Sequence, residues 1–287
     1  MGRLSSPGYV TLLLCCAFLL AMSLQAQTQS SAAPPLPDAR QLKDRVMATE
    51  KKAEQDKERY LCDVHEESDE FDSHGRLQKH RSREMEQFFL NGQEINHVLA
   101  RDGKALTGDD EKKEQDRVNK EVKKFSDPKQ VKKAEQEDEK QAEILLKALR
   151  YTNGHREYRA GRSIVVYDMS GDPDFHPKSL EEKVAQALNG RVWVDEETGE
   201  LLELRVLTDH DIKVFGFVGN LKKGFQFHLT QQRQPDGVWI PNFIEGTGNG
   251  RALFFSRGFR FKVATDRCRL YNVDSSTGAI TPKEEPK

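Results

Sequence analysis

The sequence is poor in the residues that carry chemistry on their own. It holds four cysteines, two tryptophans and eight histidines in 287 residues. The histidines are scattered along the chain, so no metal site is expected. No nucleophile elbow, phosphate-binding loop or dinucleotide fingerprint occurs. Gly246-Thr-Gly248-Asn-Gly250 is superficially a glycine-rich loop, but no helix follows it to hold a phosphate. It is expected to be a flexible connection between two strands. Asp195-Glu196-Glu197 lies at a turn signal, and Asp209-His210-Asp211 reads as a polar hairpin tip with too few ligands for calcium. No catalytic residue and no cofactor are therefore expected, and the protein is read as a non-enzyme. There is no basic excess either. The 45 Lys and Arg against 47 Asp and Glu leave a formal charge of -2, which argues against a nucleic-acid partner.

What is present starts with a charged Arg3 and a short apolar run, Val10 to Ala21, followed by small residues. That order is a secretory signal peptide, 1–26, with cleavage near Ala26, and it sends the mature chain to the periplasm. No later run is long and apolar enough to span a membrane as a helix. Cys15 and Cys16 lie inside the signal core, and Leu14 before them does not suit a lipid-modification signal. Residues 27–37 are rich in Gln, Ser, Ala and Pro without periodicity and read as a disordered leader. Two cysteines remain after cleavage, Cys62 and Cys268. An oxidising compartment permits them to pair, tying an early strand to the last one, and two separate thiols are the alternative.

The domain proper is expected over 38–274, with a flexible tail at 275–287. Asp38–Glu58 carries Leu42, Val46 and Ala53 on one loose stripe, a weakly amphipathic helix capped by Asp38. Strand patterns follow to Arg101, with hairpin signals at Asn91-Gly92 and Asp102-Gly103. Asp109–Lys140 is densely charged, with ten basic and eleven acidic residues, and reads as a solvated helical insertion broken near Pro128. The insertion runs on through the apolar stretch Ile144–Leu149 and ends near 150. A turn at Asn153-Gly154 then opens a long series of strands. One further helix has a capping box at Ser179–Glu182 and is expected to end at Gly190. The total is about eleven strands in an antiparallel meander, an α+β, mainly antiparallel fold.

Aromatic and aliphatic residues crowd the C-terminal strands. Phe215 and Phe217 share one strand face, and Phe225, Phe227 and Leu229 share another, opposite Gln226, His228 and Thr230. So large an apolar sheet face exceeds what the few amphipathic helices can cover, which implies a cavity for an apolar ligand. Phe215, Phe217, Phe225 and Phe227 are expected to line it, with Trp193 and Trp239 near its wall.

The run Gly190-Arg-Val-Trp-Val-Asp-Glu-Glu-Thr-Gly199-Glu-Leu, the later Gly237-Val-Trp-Ile-Pro241, and Tyr167 followed by Gly171-Asp-Pro173 resemble the LolA-like carriers of lipoproteins. That group includes outer-membrane lipoprotein-sorting proteins, mycobacterial lipid carriers such as LppX, and the periplasmic stress sensor RseB. The resemblance covers about residues 59 to 271. It implies an open half-barrel of about eleven strands with helices across its concave face. It also implies a periplasmic carrier that binds acyl chains of lipids or lipoproteins non-covalently and sorts lipoproteins to the outer membrane. The partners would be an acylated lipoprotein or lipid and a membrane-protein donor and acceptor, and the chain is read as a monomer. The alternative on the same fold is a periplasmic sensor or interaction protein. The charged insertion is longer than in a minimal carrier.

Overall fold

Period-two alternation writes most of this chain as strand, and the strands pair in nearly sequential order. The computed structural model describes residues 35–214, 219–252, 255–274 and 279–282. The expected signal segment and nearly all of the leader lie outside these, as do Phe215 and Phe217. Leu36–Lys287 make up one compact unit.

The strands are β1 (Tyr60–Phe71), β2 (Leu77–Leu90), β3 (Gln93–Arg101), β4 (Lys104–Ala105), β5 (Leu149–Arg159), β6 (Arg162–Gly171), β7 (Leu188–Asp195), β8 (Leu201–Thr208), β9 (Ile212–Val214), β10 (Gly219–Leu221), β11 (Gln226–Arg233), β12 (Trp239–Ala252), β13 (Phe255–Asp274) and β14 (Ala279–Pro282). Eleven of them form one antiparallel path, β4-β3-β2-β1-β13-β12-β11-β8-β7-β6-β5. The hairpin β9–β10 continues from β12, and β14 pairs with β13. The two end strands, β4 and β5, do not pair with one another, so the sheet is open, in agreement with the half-barrel expected from the sequence. Part of the expected tail is thus strand, Ala279–Pro282 lying along Tyr271–Asp274.

Two meanders, β1–β4 and β5–β8, meet through β11–β13, and the long-range junction in the path is β1 on β13. A bulge interrupts that pairing between Leu61 and Asp63. Arg267 takes a positive φ of 43° there, and Cys62 and Cys268 are joined by a disulfide with Cα atoms 4.0 Å apart. The bond closes the seam between the first and last long strands.

Two expected breaks are strand interior instead. Asn153-Gly154 is a bulge within β5, and the β5–β6 turn falls at Ala160-Gly161, both with positive φ. Gly190 lies in β7, not at a helix end. A Cβ there would come within 1.9 Å of the Arg205 carbonyl oxygen, so the glycine is required by close approach of β8. Local composition marks Gly154 and Gly190 as breaks; strand pairing decides otherwise.

Helix α1 (Ala39–Lys57) bridges the two meanders. Leu42 and Val46 pack on Val165, Tyr167, Val192 and Val194 of β6 and β7. The Arg45 guanidinium donates to the Glu196 carbonyl (2.6 Å) and the Thr49 hydroxyl to that of Thr198 (2.8 Å). Just past the other end, the Glu58 carboxylate accepts the Gly92 amide at the β2–β3 turn. Helix α2 (Asp109–Phe125) inserts Val118 and Val122 among Leu61, Phe88, Leu90 and Ile95. Leu61 alternates with Cys62 and Val64 along β1, so α2 packs on the sheet face opposite to α1. It also covers the edge of β3. There the Glu114 carboxylate accepts the Val98 amide (3.0 Å), and Arg117 donates to the Asn96 carbonyl, side chains standing in for a neighbouring strand. Helix α3 (Pro128–Ala148) starts from an Asp127 cap with Pro at its first turn. It runs from the β2–β3 turn, where Gln93 reaches Asp138, directly into β5. Of its 21 residues only Ala148 is buried. Short helix α4 (Leu180–Gln186), with the Ser179–Glu182 capping box formed, packs on α3.

Candidate functional site

The regular register of β6 to β13 assigns each residue to a face. Tyr167 lies opposite Val192, Val192 opposite Leu204, Leu204 opposite Leu229, Leu229 opposite Ile244 and Ile244 opposite Val263. All of these share the face on which α1 packs. Toward β11–β13, beyond the α1 contact, that face carries Phe225, Phe227, Leu229, Ile244, Phe259, Phe261 and Val263, every one of them half-buried. A core of this size would bury such rings; here they form a half-covered apolar strip, the trough.

The glycine run that read as a loop forms the floor of this trough. Gly246, Gly248 and Gly250 fall at alternate positions of β12 and so on one face. A Cβ on Gly246 would lie 2.2 Å from Cε1 of Phe261, and one on Gly248 would lie 3.0 Å from Phe225 and 3.1 Å from Phe259. The rings therefore occupy the space that side chains at Gly246 and Gly248 would take. Phe225 and Phe259 sit with centroids 6.1 Å apart. At the β5–β7 end, Leu42, Val46, Leu146, Tyr151, Tyr167, Val192, Val194 and Leu201 enclose a small cavity of about 60 Å³ between α1, α3 and the sheet. Burial pushes the Tyr151 hydroxyl up to about 12, as expected for a phenol in an apolar wall.

The reverse face of the same strands is different in kind. Trp193 packs there on Ile164, Val166 and Leu202, with Trp239 beside it. The guanidinium carbons of Arg159, Arg191 and Arg205 lie 5.3, 5.8 and 5.3 Å from its ring. Buried Glu203 accepts from Arg159 (2.7 Å) and Arg205 (2.7 Å), with His228 Nε2 at 3.1 Å. Burial alone would raise the Glu203 carboxyl, but the hydrogen bonds from Arg159 and Arg205 hold it below the usual range. Asp195, fully buried at the β7–β8 turn, is likewise opposed by burial and held down by Arg162 and Thr198. It accepts the amides of Glu197 and Thr198, so its role is to cap the turn. An open groove of about 870 Å³ crosses this face, bordered by Asp168, Arg191, Trp193, Arg205, His228 and Glu245.

Of the residues expected to line one cavity, the structure brings Phe225 and Phe227 together on the trough face. It places Trp193 and Trp239 on the reverse face, where Trp193 lines the open groove that Phe227 also borders. The cause is strand parity: Val192 and Val194 point to α1, so the tryptophan between them cannot. Phe215 and Phe217 lie outside the described residues. Sequence reasoning missed the floor, Gly246 and Gly248; the available signal was glycine at every second position facing Phe259 and Phe261. Among the described residues no group of three or more His, Cys, Asp or Glu could hold a metal ion, and no helix is long and apolar enough to cross a membrane.

No known family profile and no curated protein matches the chain. Solved structures do. A putative outer membrane lipoprotein-sorting protein domain from Vibrio parahaemolyticus aligns with 10% identity and a TM-score of 0.34, covering 81% of this chain and 93% of that one. A DUF1329 family protein from Desulfovibrio piger aligns with 9% identity and a TM-score of 0.31, covering 80% and 92%. MucB in complex with MucA(peri) aligns with 10% identity and a TM-score of 0.23, covering 86% of this chain and 100% of that one.

Proposed function

We propose that the protein is an exported, periplasmic carrier that shields acyl chains of lipids or lipoproteins in the trough between β8 and β13. The observation that carries this reading is the set of half-buried phenylalanines on the glycine floor, on the side bridged by α1. Binding would be non-covalent. Each methylene taken from water contributes about 0.8 kcal/mol, so a chain of ordinary length needs no polar contact to be held. Specific polar recognition is sparse on this face, which suits a cargo defined by its apolar tail.

Mass spectrometry of organic extracts from the purified protein tests the reading directly, since a carrier should bring acyl lipid with it. A fluorescent fatty-acid probe tests the site. Wild type should bind it, and Phe227→Asp, which sets a charge in the trough, should bind it at least about tenfold more weakly, with the circular dichroism of the sheet retained. A wild type that ignores acyl probes and lipoproteins alike would remove the carrier reading. A clean protein that captures a protein partner would instead favour a sensor or interaction role on the same fold.

A further inference from the structure

The cationic side chains of this molecule fall into two classes. On the sheet the arginines are locked in pairs, among them Arg150, Arg156, Arg162, Arg191, Arg260 and Arg269. At the elbow between α2 and α3 the pattern reverses. Lys120, Lys123 and Lys124 in the last turns of α2, and Lys129, Lys132 and Lys133 in the first turns of α3, are all exposed. None of the six makes an ion pair among the described residues. Three other lysines of these helices do, Lys113 with Asp110, Lys140 with Glu137 and Lys147 with Glu143, while Lys112 does not. Two acids share the stretch, and both are engaged. Glu121 pairs with Arg117 (2.8 Å), and the Asp127 carboxylate accepts the Lys129 amide as the α3 cap. Of the remaining acids of the helical pair, Glu135 borders the elbow beside Lys132, and the others lie farther along, at Asp109–Glu111, Glu114 and Asp116 on one side and Glu137–Glu139 and Glu143 on the other.

Helical phase explains the clustering. Val118 and Val122 turn α2 toward the sheet, which leaves Lys120, Lys123 and Lys124 on its far side. In α3, Val131 and Ala134 are half-buried, and Lys129, Lys132 and Lys133 occupy the outer arc. Phe125, held in the core under Lys124, anchors the elbow (4.6 Å from Nζ to the ring centroid). The charge density on this corner is thus built by the fold, within a chain whose net charge is near zero.

We propose that the α2–α3 elbow docks the protein on an anionic lipid bilayer surface. Unpaired lysines on flexible stems suit a diffuse layer of headgroup charge, whereas a preformed protein partner would be matched better by rigid guanidinium forks, which this chain spends elsewhere. The proposal stands on the lysines and does not depend on what the trough holds. Were the trough to carry acyl chains, docking through the elbow would set the end of α3 against the membrane from which such a chain is drawn.

The test is sedimentation of the purified, exported protein with vesicles of phosphatidylcholine alone and with about one-third phosphatidylglycerol, at low and high salt. The protein should bind the anionic vesicles in a salt-sensitive way and leave the neutral ones. Each lysine near such a surface is worth about a fivefold change in binding. Replacing all six by glutamine should therefore weaken binding by about a hundredfold or more, with the circular dichroism and fatty-acid probe binding unchanged. Equal binding to neutral vesicles overturns the proposal. So does anionic-vesicle binding that survives in the six-glutamine variant, or salt-sensitive capture of an acidic protein without any vesicle binding. Probe binding is read separately in the same samples, so failure at the elbow and failure at the trough are distinguishable.

Discussion

The two faces of the β6–β13 sheet are built from the same strands and solve opposite problems. The trough face sets phenylalanine rings on bare glycine backbone and leaves them half-buried. The reverse face buries Trp193 beneath three arginines and satisfies Glu203 with two arginines and His228. One face closes around its tryptophan and buried carboxylate with an open groove beside them; the other leaves its phenylalanines short of cover. Alternation makes this possible, because neighbouring residues of one strand answer to different surroundings. Stability and binding should therefore be separable by substitutions one residue apart in register.

The largest effect should come from the packed face. Trp193→Ala removes a buried ring and should cost about 3–5 kcal/mol in urea unfolding, with fatty-acid probe affinity nearly unchanged in the protein that remains folded. Equal loss of stability from Phe227→Asp would erase the distinction between the faces. The disulfide underlies both faces, because it closes the β1–β13 seam across a separation of 206 residues. Replacing Cys62 and Cys268 by serine should cost about 2–5 kcal/mol without a preference for either face, which reductant-dependent thermal melts would show. Gly246→Ala sharpens the comparison from the trough side. Its Cβ would meet the Phe261 ring, and overpacking of this kind costs about 1–3 kcal/mol. The displaced ring should change probe affinity as well, unlike the change at Trp193.

The smallest effect concerns pH. The Glu203 carboxyl titrates below its usual value in the folded protein, so its contribution is present at neutral pH and is lost as pH falls through the folded value. Glu203→Gln should therefore be less stable than wild type at pH 7, and the gap should narrow below about pH 4.5. Denaturant midpoints at several pH values measure this. A gap that stays constant into acid would mean that the cost comes from packing and not from the charge.

Much of the fold was legible before any coordinates. Period two revealed the strands, Asn91-Gly92 and Asp102-Gly103 revealed turns, and the Ser179–Glu182 box revealed the start of α4. All of these are local signals, settled by a few residues in sequence. The candidate site was legible only in part. Phe225 and Phe227 stood out through their polar alternates, Gln226 and His228, which fix the face. Trp193 did not, because valines flank it and both faces of β7 read as apolar.

Composition and periodicity by themselves determined the fold class and where the helices begin, since each depends on side-chain polarity or local backbone preference. Only the tertiary structure decided which face each strand residue joins, because register is set by neighbours far away in sequence. It also decided the meaning of glycine. Gly190, Gly246 and Gly248 have the composition of breaks, but a strand or a phenylalanine ring pressed against their bare backbone makes them part of the sheet. The charge pattern was decided in the same way. Lysine and glutamate are nearly balanced along the insertion, and it is helical phase together with the pairing of Glu121 and Asp127 that leaves six lysines unpaired at one corner.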